Sequence, residues 1–517
     1  MRWEIPVELT TSESRLVARL RRTSKFYVFL REIRHELFDD EFQSELVAAY
    51  GKPRGTEPLP PALLAMVTLL QAYDRVSDAV AVETAEMDRR WQLVLGCLES
   101  DEAPFSQGSL VNFRTRMIEH DLDKKLLVRT VELAKRTGKF GWQHLKAALD
   151  SSPLLGAGRV EDTYNLIGRA LSTVVDCASK ALHVPRRQIL DEAKLSVLDG
   201  PSIKATLDVD WDSPAEKSRA LEMLLEQVKS LETWVATRAG GAVDEPPLKE
   251  ALSLLRRVVE QDLEPDPTTG GKRIRQGVAK DRMPSLGDRE MRHGRKSKKR
   301  PFNGYKRHIV KAVGCGIIVE AIVRPANQPE HEATDALWSA IAEHGTVEQG
   351  HIDRGYLASP KIAELHREGV AIRCKPWPSH NGGRFTKEEF ELRLDERKVV
   401  CPAGFEAPIR EGNPIVRFPS SSCGPCTQRK LCTVATCRTI AIHPQEALLV
   451  ELRRRRRTPE GRRELRDRVT IEHSLARLGQ IQGNRARYKG ARKNTLDARR
   501  CSAVANLQEL ARLRSAA

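Results

Sequence analysis

The sequence predicts an α/β protein: a mixed sheet flanked by helices, with an all-helical region before it. Residues 301–377 alternate short apolar runs of strand type with helical segments, a pattern that indicates a sheet covered on both faces. Residues 25–135 carry helical patterns only. At 517 residues the chain also exceeds one ordinary hydrophobic core, so we expect about three domains.

The first predicted domain, residues 1–135, is helical. In the run PPALLAMVTLLQAY, Pro60 and Pro61 fit the first turn of an apolar helix that we expect to be buried. Further on, Ser109 is expected to cap a helix that carries Arg114 and Arg116. The helices around residues 89–116 fit either a helix-turn-helix or plain helix packing.

Residues 136–177 are predicted to begin the sheet. The apolar positions Leu145, Ala147 and Leu149 alternate, which predicts a strand that ends at Asp150. A helix follows, and Glu161 and Asp162 stand at its start as partners of the helix dipole.

Residues 178–300 are predicted to form a helical insertion followed by a basic loop. Ser213 and Glu216 have the spacing of a capping box. An apolar stripe with helical spacing then runs until Gly240: Leu221, Leu224, Val228, Leu231 and Val235. The stripe fits either core packing in a helical hairpin or the seam of a dimer.

Residues 301–377 are predicted to complete the sheet. The runs GYKRHIVKAV and GIIVEAIVRPA indicate two strands, after which helices and strands alternate. One of these strands, VEQGHID, ends at Asp353.

A cysteine-rich insertion is predicted at residues 378–442. Five of the ten cysteines cluster there, which favours a reducing compartment and one metal site over disulfides: Cys401, Cys423, Cys426, Cys432 and Cys437. The C-x2-C pair with flanking cysteines has the spacing of a structural zinc site, for which we select Cys401, Cys423, Cys426 and Cys432. Cys437 leaves the fourth ligand open, and reduced cysteines in a small β-rich subdomain are the alternative.

Basic helices are predicted at residues 443–517. Ile471, Leu475 and Leu478 form the buried stripe of one helix, which places Glu472 beside it and Arg468 one turn earlier. Arg468 and Glu472 would also fit a simple ion pair along a helix.

Positive charge is concentrated in two segments. The chain has a net charge of +16, and residues 272–311 hold 15 Lys and Arg against 3 Asp and Glu. Residues 451–517 hold 19 against 7, so the rest of the chain is net acidic. Concentrated basic segments indicate binding of a polyanion, although a solvated basic loop or tail is the alternative. No segment has the length of a membrane span or the apolar core of a signal peptide, so we expect a cytoplasmic protein.

Three acidic residues organise this pattern. Asp150 and Asp353 stand where predicted strands emerge at the surface, and Glu472 lies on a predicted helix. Taken alone, each of these acids is consistent with a solvated carboxylate or a helix cap. Together they would repel one another unless a divalent cation held them, which predicts an oxygen-rich metal site.

The chain resembles bacterial insertion-sequence transposases of the DDE type over roughly residues 30–510. The segments that carry the resemblance fall in the family's order, and they are LPPALLAMVTLLQAY, FSQGSLVNFRTRM, LDSSPLLGAG, FNGYKRHIV, RPANQPEHEATDA, HIDRGY, CPAG with CGPC, and RVTIEHSLARLG with RYKGARKN. The resemblance implies an RNase H-like catalytic core at residues 136–177 and 301–377, preceded by a helical DNA-binding domain.

Residue by residue, the resemblance makes Asp150 and Asp353 the catalytic aspartates and Glu472 the catalytic glutamate. Arg468 fits the arginine that many relatives place near this glutamate. Leu465 and Gly479 occupy the positions of the Tyr and Lys of that pattern, so those two roles are not assigned, and Glu464 is the fallback for the third acid.

The chemistry implied by the resemblance is phosphoryl transfer with two Mg²⁺ or Mn²⁺ ions roughly 3.5–4 Å apart. Hydrolysis at an element end would free a 3′-OH, which would then attack target DNA. Double-stranded DNA is the expected partner, as terminal inverted repeats and as target, with a homodimer in the DNA complex.

We expect basic side chains to hold the DNA phosphates. The candidates are Arg114, Arg116, Lys296, Lys298, Lys299, Arg300, Lys306, Arg307, Arg468, Arg485, Arg487, Lys489, Arg492 and Lys493. Two other functions remain open: a structure-selective nuclease on the same fold, and a DNA-binding repressor whose catalytic site has decayed.

Overall fold

The computed structural model of the chain describes residues 1–51, 57–98, 100–138, 140, 143–268, 270–297 and 299–515. Its N-terminal region is helical, as predicted. The helices are α1 Thr11–Leu20, α2 Lys25–Leu37, α3 Asp40–Ala48, α4 Pro61–Asp74, α5 Asp78–Met87, α6 Arg89–Leu95, α7 Gln107–Glu119 and α8 Leu122–Arg136. Helix α4 begins at Pro61 and is buried from there to Ala72, which confirms the expected core helix.

Two expectations for this region are wrong. Helix α7 is capped by Ser106, and Ser109 lies at the third helical position, where its hydroxyl accepts a hydrogen bond from the Ser106 N–H. Residues 96–106 separate α6 from α7, whereas a helix-turn-helix needs a turn of three or four residues. Plain helix packing is therefore the better description.

The first strand is longer than predicted. Strand β1, Leu145–Leu155, continues past Asp150 instead of ending there. The reason is its neighbour: beyond Asp150, β1 keeps antiparallel partners on one side, so its backbone groups remain paired.

The insertion after β1 is mainly helical. Its elements are α9 Thr163–Leu182, α10 Arg186–Glu192, α11 Ile203–Leu207, α12 Pro214–Arg238, α13 Pro246–Asp262, and the short strands β2 Leu263–Pro265 and β3 Lys272–Ile274. Asp162 caps α9 by accepting from the Asn165 N–H, as its position predicted. Ser213 caps α12, but Glu216 accepts from the Asp210 N–H, so the reciprocal half of the predicted capping box does not form.

The apolar stripe of α12 is buried inside this insertion. Leu221, Leu224 and Leu231 are each at most 2% exposed and belong to a separate apolar cluster with residues of α9 and α13. This burial favours core packing over a dimer seam.

The remaining elements of the sheet region follow in chain order. They are β4 Arg292–Ser297, β5 Arg300–Ala312, β6 Ile318–Pro325, α14 Thr334–Ala342, β7 Val347–Ile352, α15 Pro360–Arg367 and β8 Ala371–Arg373. These strands and β1 form one six-stranded mixed sheet.

Strand β1 lies in the middle of this sheet. On one side it pairs antiparallel with β5, which in turn pairs antiparallel with β4 and β6. On the other side it pairs parallel with β7, and β7 pairs parallel with β8. Two strands far apart in sequence, β1 and β7, therefore run side by side, and β7 ends beside the middle of β1.

The cysteine-rich segment forms a small separate unit. It contains β9 Glu391–Arg393, β10 Lys398–Val400, β11 Glu406–Pro408, β12 Ile415–Arg417, α16 Ser420–Cys423, α17 Arg429–Cys432 and β13 Thr439–Ala441. Its short strands pair in two small antiparallel sheets around Val399, Phe418 and Ile440.

The C-terminal helices return to the sheet. They are α18 Glu446–Arg457, α19 Pro459–Asp467, α20 Val469–Gln482 and α21 Ala491–Ser515. Helix α20 packs against β1, and α21 packs against β6, α8 and α4. The sheet, the N-terminal helices and α21 thus share one large apolar core. Among the described helices, none is long and apolar enough to cross a membrane.

Candidate functional site

A cleft of about 790 Å³ opens beside the end of β7 and the second half of β1. Asp150, Asp353 and Glu472 all line it. The structure therefore brings together the three acids that the sequence singled out, from a strand, the end of another strand and a late helix.

The strand register explains why the two aspartates are neighbours. Leu149 of β1 lies opposite Ile352 of β7 in the parallel pair. The residues that follow them, Asp150 within β1 and Asp353 just after the end of β7, are therefore neighbours. Asp150 is 7% exposed, because β1 is an interior strand.

Arg468 bridges the two aspartates. One guanidinium nitrogen donates to Asp150 Oδ2 at 3.0 Å, and the other donates to Asp353 Oδ1 at 3.1 Å. Arg468 lies between α19 and α20, so the start of the helix that carries Glu472 is tied directly to the strand ends. The guanidinium occupies the position between two carboxylates where a cation is electrostatically favoured.

Burial and this ion pair act in opposite directions on the acids. Burial raises the pKa of Asp150 above its ordinary value, and the charge of Arg468 offsets part of that effect. Burial also opposes the charge of Arg468, but Asp150 and Asp353 outweigh it and hold the pKa of Arg468 above the ordinary arginine value.

Glu472 lies on the exposed side of α20. Ile471, Leu475 and Leu478 are buried beneath it, which confirms the predicted stripe. In the part of the chain that the structure describes, Glu472 forms no ion pair, and Arg468 pairs with the aspartates instead. The alternative of a simple ion pair between Arg468 and Glu472 is therefore wrong.

The fallback acid is placed elsewhere. Glu464 pairs with Arg373 at 2.6 Å and with Arg455 at 2.9 Å, and it does not line the cleft. Its carboxylate fastens α18 and α19 to the end of β8, a structural role.

A fourth acid lines the cleft, and the sequence reasoning missed it. Glu330 follows β6, and its Oε1 accepts a hydrogen bond from the Ser151 hydroxyl at 2.6 Å. One sequence signal could have identified Glu330. It lies in RPANQPEHEATDA, one of the segments that carry the resemblance, shortly after a predicted strand of the sheet.

Two buried polar side chains support the floor of the site. Tyr356, three residues after Asp353, is fully buried, and its hydroxyl lies 2.9 Å from His308 Nδ1. Burial lowers the pKa of His308 to about 3, so its ring is neutral. Burial also raises the pKa of Tyr356 well above its ordinary value, and the charges of Glu330, Asp150 and Asp353 add to the effect.

Basic side chains form one wall of the cleft. Lys296 of β4 and Lys306 of β5, both predicted to bind DNA, line it together with Arg295. Arg307 also lines the cleft but is 2% exposed, and it donates to Ser152 Oγ and to Gln482 Oε1. Arg307 therefore fastens the end of α20 to β1.

Several other predicted DNA contacts are engaged inside the protein. Arg114 pairs with Asp78, Arg116 stacks on Tyr50 at 4.4 Å, and Arg487 donates to the Val76 carbonyl. Arg492 pairs with Asp121 and Asp123. These contacts link the N-terminal helices to one another and to the C-terminal segment.

The remaining candidates are mostly exposed. Exposed side chains are those of Lys299, Arg300, Arg485, Lys489 and Lys493. Arg485 also donates to the Gly156 carbonyl at 3.2 Å, beyond the end of β1. Lys298 lies outside the described residues.

Four of the five clustered cysteines converge. Cys401, Cys423, Cys426 and Cys432 line one cavity of about 30 Å³, and Cys437 does not line it. Burial raises the pKa of the Cys432 thiol, and the three neighbouring cysteines add to the effect. The four thiols therefore lie near enough to influence one another.

Neither cluster is arranged as a finished metal site. Among the residues that the structure describes, no group of three or more His, Cys, Asp or Glu side chains could hold a metal ion as it stands. In the cleft, Arg468 occupies the space between the aspartates, so cation binding there requires the guanidinium to withdraw.

Comparison with known proteins gives two family matches. A model described as transposase DDE domain matches residues 400–511, which include Arg468 and Glu472. A model described as transposase domain (DUF772) matches residues 14–116, which include helices α2 to α6. No curated protein and no solved structure matches the chain.

Proposed function

We propose that this chain, which its two family matches support as a DDE-type insertion-sequence transposase, cuts DNA at the ends of a mobile element and joins them to target DNA. The observation that carries the proposal is the cleft in which Asp150, Asp353 and Glu472 meet. Three acids from distant parts of the chain that meet beside a basic wall fit phosphoryl transfer on a polyanion.

We assign the sheet and its helices to an RNase H-like catalytic core. That fold, as the resemblance implies, has one catalytic aspartate on the first strand and one after the fourth, adjacent in space. The parallel pairing of β1 with β7 and the register of Leu149 with Ile352 support this assignment.

The donor set fits divalent cations. Carboxylate oxygens are the ligands that Mg²⁺ and Mn²⁺ prefer, and Arg468 already occupies the space between two of the carboxylates as a cation would. Asp150, Asp353 and Glu472 would hold two such ions, which would activate the attacking oxygen and stabilise the leaving 3′ oxygen.

The chain's own residues then have distinct tasks. The aspartates are fixed by the strands, and Glu472 approaches from α20, whose position Arg307 secures. If cations took the place of its guanidinium, Arg468 would be available in the cleft to contact a DNA phosphate. Lys296 and Lys306 hold the flanking phosphates and set the register of the strand.

We further propose that the N-terminal helices read the terminal inverted repeats and that two copies act on two element ends. The transposase domain match over residues 14–116 supports a role for this region in transposition.

A structural zinc ion is the proposed ligand of the cysteine unit. Cys401, Cys423, Cys426 and Cys432 supply four thiols around one small cavity, which is the donor set of a closed tetrahedral zinc site. Their contribution would be to folding of the unit, since a closed site leaves no position for a substrate.

An assay with a labelled element end, a plasmid target and Mn²⁺ tests the proposed reaction. We expect end cleavage followed by covalent joining of the 3′ end to the plasmid. Nicking without joined product would indicate the nuclease alternative. DNA binding with no metal-dependent cleavage would indicate the repressor alternative.

A further inference from the structure

Glu330 lies between the two segments that carry the aspartates, the middle of β1 and the turn after β7. Its Oε1 accepts the hydroxyl of Ser151, the residue after Asp150. Its Oε2 lies over Gly355, two residues after Asp353, so closely that a Cβ at Gly355 would stand 1.9 Å from it. A glycine at this position therefore leaves room for the carboxylate.

Glu330 has no cationic partner among the described residues. Glu332 provides the contrast, because it lies two residues further in the same turn and pairs with Arg324 at 2.9 Å. The cleft thus contains four carboxylates, and Arg468 forms ion pairs with two of them, Asp150 and Asp353.

Carboxylates that lie close together without a positive partner repel one another and raise the free energy of the protein, and bound cations lower that free energy. Two divalent ions carry four positive charges, which equals the charge of Asp150, Asp353, Glu472 and Glu330 together. With only the first three acids, a two-ion centre would hold excess positive charge before DNA binds.

We propose that Glu330 is a positioning residue for this metal centre. Its negative charge strengthens cation binding by Asp150 and Asp353. Its hydrogen bond also holds Ser151, whose backbone N–H donates to Asp150 Oδ1 at 2.7 Å, and so orients that ligand. The inference rests on the proposed function, in which the aspartates hold divalent cations.

The decisive variant is Glu330→Gln, which keeps the shape and an acceptor oxygen for Ser151 but removes the charge. Partners that support metal ligands typically change metal affinity or activity 10- to 100-fold when lost. We expect the Mn²⁺ concentration for half-maximal effect to rise about tenfold or more. Saturating Mn²⁺ should restore most of the cleavage rate. Glu330→Asp, which keeps the charge, should lie closer to the wild type.

Two titrations on the full-length protein measure this effect: the Mn²⁺-induced rise in melting temperature without DNA, and Mn²⁺-dependent cleavage of an end substrate. Glu332→Gln is the matched control and should leave both midpoints unchanged. A Glu330→Gln protein with wild-type Mn²⁺ midpoints, whatever its melting temperature, would overturn the inference and leave Glu330 a structural link.

Asp150→Asn, run in parallel, separates this inference from the proposed function. If Asp150→Asn removes the Mn²⁺-induced shift and Glu330→Gln does not change it, only the role of Glu330 fails. If neither variant changes the shift, the metal site itself fails, and the inference with it.

Discussion

The cleft lined by Asp150, Asp353 and Glu472 and the cysteine unit are both candidate metal sites, but they are built in opposite ways. The cleft takes hard oxygen donors from residues between 150 and 472 and is about 790 Å³ in volume. The cysteine unit takes soft sulfur donors from residues 401–432 around a cavity of about 30 Å³. An open oxygen site suits exchangeable ions and a substrate, whereas a closed sulfur site suits a permanent ion.

The difference also lies in what holds each site together without metal. In the cleft, Arg468 balances the charges of Asp150 and Asp353, and the surrounding sheet and helices share a large apolar core. The cysteine unit has a small apolar core of six buried residues. Loss of metal should therefore stop chemistry in the cleft but unfold structure in the cysteine unit.

The largest expected effect is on the cysteine unit. Replacement of Cys423 and Cys426 together by Ser should abolish zinc binding, and a structural zinc contributes on the order of 10 kcal/mol to folding of a small domain. We expect zinc content to fall from one ion per chain to none and residues 378–442 to become sensitive to protease. Cys437→Ser, outside the cavity, should keep the zinc; equal loss in both variants would contradict the assignment.

The next effect is on catalysis. Asp150→Asn or Asp353→Asn should lower DNA cleavage by about 10³-fold, because the charge that holds the cations is lost. Melting temperature should also fall modestly, because Arg468 loses the charge of one of its two partners. Glu464→Gln, which lies outside the cleft, should retain the wild-type metal requirement in the same assay.

A smaller effect concerns Arg468. We propose that Arg468 occupies the cation position when no metal is bound and contacts a DNA phosphate when cations are bound. Arg468→Ala removes the competing cation, so Mn²⁺ should bind without DNA about tenfold more tightly, or roughly 1.4 kcal/mol. Cleavage at saturating Mn²⁺ should nevertheless fall, because the phosphate contact is lost. Calorimetry on the protein alone and cleavage rates measure the two parts, with Arg468→Lys as the charge-preserving control. Weaker Mn²⁺ binding by Arg468→Ala would show that the arginine does not compete with the cation for this position.

The smallest effects concern the basic residues. Lys296→Gln and Lys306→Gln should each weaken DNA binding uniformly across sequences and reduce the slope of log affinity against log salt by about 1. Arg114→Gln should instead lower stability by about 2 kcal/mol, because it breaks the charged hydrogen bonds to Asp78. DNA affinity measured at several salt concentrations, together with melting curves, distinguishes the lysines that contact DNA from the arginine that stabilises the fold.

Local patterns predicted most elements of the fold. The strand before Asp150, the Asp162 cap and the stripe under Glu472 are each set by neighbours in sequence, and each is found in the structure. The wrong predictions concern the end of a strand and the closure of a helix cap, which depend on partners outside the local segment. Strand β1 runs past Asp150 because β5 pairs with it, and Glu216 turns to Asp210 instead of closing the capping box.

The charges were the hardest part to predict. Sequence reasoning treated fourteen basic residues as DNA contacts, yet Arg487 and Arg492 bond to the N-terminal helical region. It also missed Glu330, whose neighbours Ser151 and Gly355 are distant in the chain. A charged side chain has the same local pattern whether it faces a solvent cleft or a buried partner.

By itself the sequence determined which acids are available, which segments form the strands beside the aspartates, and that five cysteines share a segment, because side-chain periodicity and spacing are local properties. Tertiary structure alone decided that Arg468 spans both aspartates, that Glu330 lies against the residues near them, and which basic side chains line the cleft. Those facts depend on packing between elements hundreds of residues apart, and the free energy of a charge is set by its neighbours in space.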